Sequence, residues 1–240
     1  MGDAKQVAVS LTAASQKLAG VLARAAVLVM MVGFLPFQSQ AMRRSEAGLR
    51  SAYPLIGSFK KTYYYVALEQ DSDLTQPRDT QVRTLDGQFL ALVSRSFKRA
   101  MDMEGTAKLL DGRVLNYAGV IDREVRYAET VHRWGRGVGN CALVPYRTVA
   151  VDRTRIPLGT LVYIDETFGK RLPDGEYHDG LWRAEDVGGA IKEARVDLFT
   201  GEGKATGKLL AEWGIRHMQP LTVRLVAPPE PKNCTQETPR

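Results

Sequence analysis

The chain of 240 residues is 44% hydrophobic and 25% charged with a net charge of +6, the proportions of a globular protein and not of a disordered or fibrous one. Its length fits one domain, or one domain with an elaboration. The basic excess suits an anionic polymer, but no dense Lys/Arg run with interleaved aromatics is present, which argues against nucleic acid.

Residues 1–41 read as a secretory signal segment. Lys17 and Arg24 precede the 13-residue apolar run Ala25–Phe37, shorter than the roughly 20 residues of a spanning helix, and Ser39 and Ala41 fit the small-x-small cleavage rule. A buried core helix or an uncleaved anchor is the alternative. Cleavage would take away Lys5, Lys17, Arg24 and Asp3 and lower the net charge from +6 to +4. No membrane span is expected in the mature chain, and no cysteine near the cleavage point suggests a lipid anchor. A secreted or periplasmic location follows.

Residues 42–57 form a connector with no sustained period. Phe59 to Glu69, rich in aromatic and β-branched residues, predicts a strand with Tyr63 and Tyr65 on one face and Tyr64 on the other. The Tyr63/Tyr65 face suits either core packing or stacking on a sugar ring. After a polar loop at 71–88, apolar residues from Phe89 to Met101 recur at helical spacing, predicting a helix over 89–104 stopped by Gly105. Asp111-Gly112 between two short apolar runs predicts a hairpin with a type I′ turn. Gly135-Arg136-Gly137-Val138-Gly139 follows no predicted strand and opens no predicted helix, so it reads as a glycine-rich loop and not a phosphate loop.

Strands are predicted at Thr148–Val151, at Thr160–Ile164 after the Ile156-Pro157-Leu158-Gly159 turn, and from Gly180 into Asp186. A Gly188-Gly189 turn then leads to a strand carrying Asp197 between Val196 and Leu198. Gly201 to Lys208 fails as a nucleotide loop because five residues separate its glycines where four are needed, and Leu209 stands where a Ser or Thr is required. A short helix over Lys204–Trp213 stopped by Gly214, a last strand at Leu221–Val226 and a Pro-rich tail at 228–240 complete the chain. The chain is thus mainly β with a few short helices. Strands dominate beyond residue 113, which favours a small closed barrel over about 58–227 with a helix-hairpin elaboration at about 86–120.

Cys141 and Cys234 lie 93 positions apart in the exported part. They form either a disulfide tying the tail to the body or two isolated buried thiols. Neither has the spacing of a zinc site. Asp174, Glu176, His178 and Asp179 cluster on a polar turn that reads as solvated loop, so no metal is expected. The three histidines accompany no nucleophile-elbow pattern. Carboxylates remain, foremost Asp186 and Asp197 at the two ends of the Gly-Gly turn.

Val149-Ala150-Val151-Asp152, Ile156-Pro157-Leu158-Gly159-Thr160, Ala184-Glu185-Asp186-Val187-Gly188-Gly189-Ala190-Ile191-Lys192 and Arg195-Val196-Asp197-Leu198-Phe199, in this order, resemble the signature of the three-aspartate (3D) domain. That domain is the catalytic barrel of the membrane-bound lytic transglycosylase A type and related secreted muralytic enzymes. The resemblance spans about 140–226, and Phe59–Glu69 resembles the family's first barrel strand. It implies a six-stranded double-psi β-barrel, no cofactor, and cleavage of the MurNAc-GlcNAc β-1,4 bond of peptidoglycan with a 1,6-anhydro product. By the same resemblance Asp197 matches the catalytic acid/base, and Asp186 and Asp152 match its acidic neighbours. Lys192, Gly188, Gly189, Tyr63 and Tyr65 are the candidate substrate contacts. The chain departs from the family at Glu193, where a glycine is common, and it is too short for a large inserted substrate domain, so an open groove is expected.

The chemistry is coherent with one acid. Glycosidases ordinarily use two carboxyl groups, one to protonate the leaving oxygen and one to activate water or attack the sugar. If the sugar's own 6-hydroxyl attacks, a single carboxyl can donate to the glycosidic oxygen and then accept from O6. That requires a protonated Asp197, and both burial and a like charge at Asp186 would raise its proton affinity. A wall-binding module without turnover and a water-using muramidase stay open as alternatives. The expected partner is the peptidoglycan glycan strand, bound by a monomer.

Overall fold

The computed structural model describes Gly48 and residues 52–229. The expected signal segment, most of the connector, the tail beyond 229 and Cys234 lie outside the described residues. All the strands fall in the unit that begins at Tyr53.

In chain order they are β1 (Leu55–Leu68), β2 (Thr80–Arg83), β3 (Phe89–Val93), helix α1 (Arg95–Glu104), β4 (Thr106–Lys108), β5 (Val114–Ile121), β6 (Glu124–Thr130), β7 (Thr148–Val151), β8 (Leu161–Ile164), β9 (Leu181–Asp186), β10 (Arg195–Glu202), helix α2 (Lys208–Glu212) and β11 (Pro220–Ala227). The protein is mainly β. Strand β1 organises it. Its first half pairs with β11 antiparallel, the stretch Lys60–Val66 with β10 parallel, and its end with β4. The order β10-β7-β9-β8-β11-β1 returns to β10, closing a ring, and β4-β5-β6 extend from β1 as a second wing.

Period-two alternation builds the ring's interior. Val149 and Val151, Trp182 and Ala184, Val196 and Leu198, and Leu221 and Val223 all point inward and are buried around Phe59 and Ile164. Each large apolar side chain so buried contributes about 1.5–3 kcal/mol. The intervening residues of β7 and β10, Ala150 and Asp197, therefore point to the other face. Strands β2 to β6 and α1 enclose a separate core of Val82, Val93, Phe97, Met101, Leu115 and Tyr127. This wing is larger than the elaboration predicted at about 86–120.

Three local predictions change. The stretch 89–104 is not one helix: Phe89–Val93 pairs with β2, and the helix starts only after Ser94, whose side chain accepts the Phe97 N–H at 3.3 Å as an N-cap. Gly105 ends the helix in the left-handed region, as predicted. The Asp111-Gly112 hairpin exists, but Gly112 alone has positive φ, so the turn is not type I′, which needs positive φ at both central positions. His178 lies in a loop, as expected, but is not solvated. It is buried, stacks on Trp182 and contacts the Tyr146 carbonyl at 2.7 Å through Nε2, and burial lowers its pKa to about 4. Cys141 is disulfide-bonded.

Candidate active site

The register of three adjacent strands sets the site. Asp197 of β10 lies opposite Ala150 of β7, and Ala150 lies opposite Asp186 of β9; on the other side Asp197 faces Thr62 of β1. Thr62, Asp197, Ala150 and Asp186 thus form one rung. The two aspartates stand two strand spacings apart, about 10 Å between Cα atoms, with only a methyl group between them. A bulge is needed for this. Val149 pairs with Ala184 but Ala150 pairs with Asp186, so Glu185 is skipped. Without it the alternation would turn Asp186 inward beside Ala184. Gly137 packs on this bulge so closely that a Cβ there would lie 2.3 Å from the Glu185 carbonyl oxygen.

The rung floors a groove of about 850 Å³. Asp152, Asp186 and Asp197 all line it, as do Gly188, Gly189 and Lys192. The opposite wall is supplied by the wing: Asp102 to Gly105 at the end of α1, Thr106 of β4, Asn116 and Tyr117 of β5, and the loop Arg136–Val138. The expected open groove is therefore walled on that side.

Burial pushes the Asp197 carboxyl from its ordinary 3.8 to about 6, against the opposing pull of the Thr62 hydroxyl and the charges of Arg195, Lys61 and His217. Its Oδ1 is buried without a hydrogen-bond partner. Lys61 is itself buried and donates to the Ile215 carbonyl at 3.5 Å; desolvation lowers its pKa while Asp197 opposes the shift. Asp186 also rises to about 6, first through burial and further through the charges of Asp197 and Glu185. It is held down by the Val187 N–H, which it accepts at 2.8 Å, and by the Tyr64 hydroxyl, which faces it without full hydrogen-bond geometry. The like-charge repulsion expected to raise Asp197 thus registers on Asp186; for Asp197 burial leads.

Asp152 is a different kind of acid. Its Oδ1 accepts the Thr154 N–H at 2.9 Å and the Thr154 hydroxyl at 2.7 Å, and its Oδ2 accepts the Glu193 N–H at 2.7 Å. These bonds hold it ionised, with a pKa near 2. Glu193 has φ of 55°, in the left-handed region where the family's glycine is at ease.

Tyr63 and Tyr65 do not line the groove. They share a face as predicted, with ring centroids 6.2 Å apart, but Tyr63 packs on the ring's core and against Gly207. Tyr64, on the opposite face, reaches the groove because it shares that face with Thr62. Glu104 also escaped the sequence reading. It accepts the Tyr65 N–H at 3.2 Å, and burial, with the Asp197 charge adding, raises its pKa to about 7. Its only signal was its place in the last turn before Gly105.

Residues 147–223 match the family model of the 3D domain. No curated protein matches the chain in sequence. Among solved structures, Escherichia coli MltA with bound chitohexaose is similar at 19% identity and a TM-score of 0.51, over 72% of this chain and 73% of that one. A membrane-bound lytic murein transglycosylase from Agrobacterium tumefaciens is 16% identical, with a TM-score of 0.48 over 70% and 73% of the two chains. LtgG, a lytic transglycosylase of Burkholderia pseudomallei, is 20% identical, with a TM-score of 0.39 over 70% and 71%. At these identities the likeness to MltA is one of fold.

Proposed function

We propose, with the 3D domain over residues 147–223 as premise, that this chain is an exported peptidoglycan lytic transglycosylase. It cleaves the MurNAc-GlcNAc β-1,4 bond and closes a 1,6-anhydro ring on the muramic acid. In this reading the strand ring is a six-stranded double-psi β-barrel, the body runs from 58 to 227, and residues 1–41 direct export to the periplasm or wall. The observation that carries the reading is the rung in the groove floor, where burial keeps Asp197 protonated to about pH 6. The bound chitohexaose of the E. coli protein of similar fold supports a β-1,4 glycan as occupant.

Asp197 gives its proton to the glycosidic oxygen as the C1–O bond breaks, and the leaving sugar departs with a free 4-hydroxyl. The muramic O6 bonds to C1, and its proton passes to the Asp197 carboxylate, restoring the acid. Burial holds the proton on Asp197 and Asp186 stands beside it as a second carboxyl of raised proton affinity, while Asp152 builds the adjoining loops. Exchanging Asp197 for Asn leaves shape intact and removes the proton. Release of soluble muropeptides from sacculi should fall at least about a hundredfold in Asp197→Asn, the usual contribution of a positioned acid/base; undiminished release would move the catalytic role elsewhere.

A further inference from the structure

The groove floor is built of acids, yet both of its walls carry cations at the rim. Arg136, Arg153 and Lys192 all line it, and neither Arg153 nor Lys192 is in an ion pair among the described residues. Arg136 donates from Nη1 to the Asn140 amide oxygen at 2.9 Å, a neutral partner. A chain of neutral sugars offers hydrogen-bond acceptors but no charge for three cations to pair with. We propose that Arg136, Arg153 and Lys192 form a carboxylate-binding site that takes the acidic substituent of the muramic acid, its lactyl group or the peptide stem attached there. The inference rests on the peptidoglycan reading above.

The loops that carry these side chains are fixed from behind. The Asn116 side chain grips the Arg136 backbone in both directions, accepting its N–H at 2.8 Å and donating to its carbonyl at 3.0 Å. A Cβ at Gly135 would lie 2.5 Å from Asn116 Oδ1 and Thr106 Cγ2, and one at Gly137 would lie 2.3 Å from the Glu185 carbonyl. Only a Gly-Arg-Gly sequence seats this loop with one long side chain on the groove. Across from it, Asp152 joins the other two cations. One carboxylate oxygen closes the turn that carries Arg153, and the other holds the Glu193 N–H next to Lys192. The third aspartate of the motif thus becomes a positioning residue for the rim, which accounts for an ionised, fully engaged carboxylate at the edge of a site that works with protonated ones.

Fixed cations in a groove bind a carboxylate more tightly than the same groups on an open surface, because the arginine fork is already oriented and part of the water is gone. The binding is salt-sensitive where the rim is exposed.

The test uses the Asp197→Asn chain, so that ligands survive, and calorimetry with three glycans of equal length: stem-bearing peptidoglycan oligomer, stem-free oligomer with lactyl carboxylates, and neutral N-acetylglucosamine hexamer. An anionic oligomer should bind about tenfold or more tightly than the neutral one, roughly the effect of one well-placed ion pair. That preference should vanish in an added R153Q/K192Q pair, whose residues are exposed, and at about 0.5 M salt. D152N should lose the preference while neutral hexamer binding stays, an outcome that mere unfolding would not give. The two anionic arms tell which carboxylate is read. Equal affinity for neutral and anionic glycans, or a preference that survives R153Q/K192Q, overturns the inference and leaves the peptidoglycan reading standing. Binding of none of the three overturns both.

Discussion

Replacing Asp197 with Asn should make the protein more stable near pH 8 while removing its activity. Its carboxyl is raised from 3.8 to about 6 by burial, and Oδ1 has no hydrogen-bond partner. Between those two values the native state holds a proton that the unfolded chain has lost, so wild-type stability falls as pH rises through the window. Two units at 1.36 kcal/mol each come to about 3 kcal/mol above pH 6; water on the groove side reduces this to about 2. For a domain of this size that corresponds to about 4–8 °C in Tm. Asn is isosteric and never ionises, so it escapes the cost. Urea or thermal denaturation of both proteins at several pH values reads the difference. The gain should be full at pH 8, shrink between about pH 6 and 4, and be near zero below. A gain independent of pH, or none at pH 8, would refute burial as the origin of the raised proton affinity.

Activity on sacculi should decline as pH rises through about 6, where Asp197 loses its proton; a rate that climbs through that range would point to a carboxylate acting as base. Gly137→Ala would set a methyl 2.3 Å from the Glu185 carbonyl and should cost about 1–3 kcal/mol in denaturant melts, where Gly139→Ala, with open space around it, loses less because only its positive φ is disturbed. Ser94→Ala should cost about 1 kcal/mol by the same measurement, because Ser94 caps a helix that starts there; no loss would favour a helix running through from residue 89.

What could be read in advance follows from which forces are local. The strands of the ring were readable because Val149/Val151 and Val196/Leu198 alternate in sequence, and the same alternation sets Asp197 facing away from them. Asp186 was readable as a candidate by its place at the Gly188-Gly189 turn and by its motif. Its orientation depends on the bulge at Glu185, which is a property of pairing between β7 and β9 and leaves no mark in either strand alone. The apolar run Phe89–Val93 misled because a short buried run fits strand and helix equally; Ser94 was the available arbiter. The full extent of the wing was missed for a like reason. Thr80–Arg83 is a four-residue strand within a polar stretch, and it exists because β3 pairs with it. Glu104 and Tyr64 reach the groove through long-range placement, so no spacing announces them.

The central claim, that the muramic O6 and not water attacks C1, is tested most directly by the ends that cleavage leaves. Sacculi digested with the mature chain at about pH 5, where Asp197 is largely protonated, and analysed by mass spectrometry should yield 1,6-anhydro-muramic ends. Reducing muramic ends in their place would contradict the account and identify a hydrolase, and binding without soluble product would identify a wall-binding module.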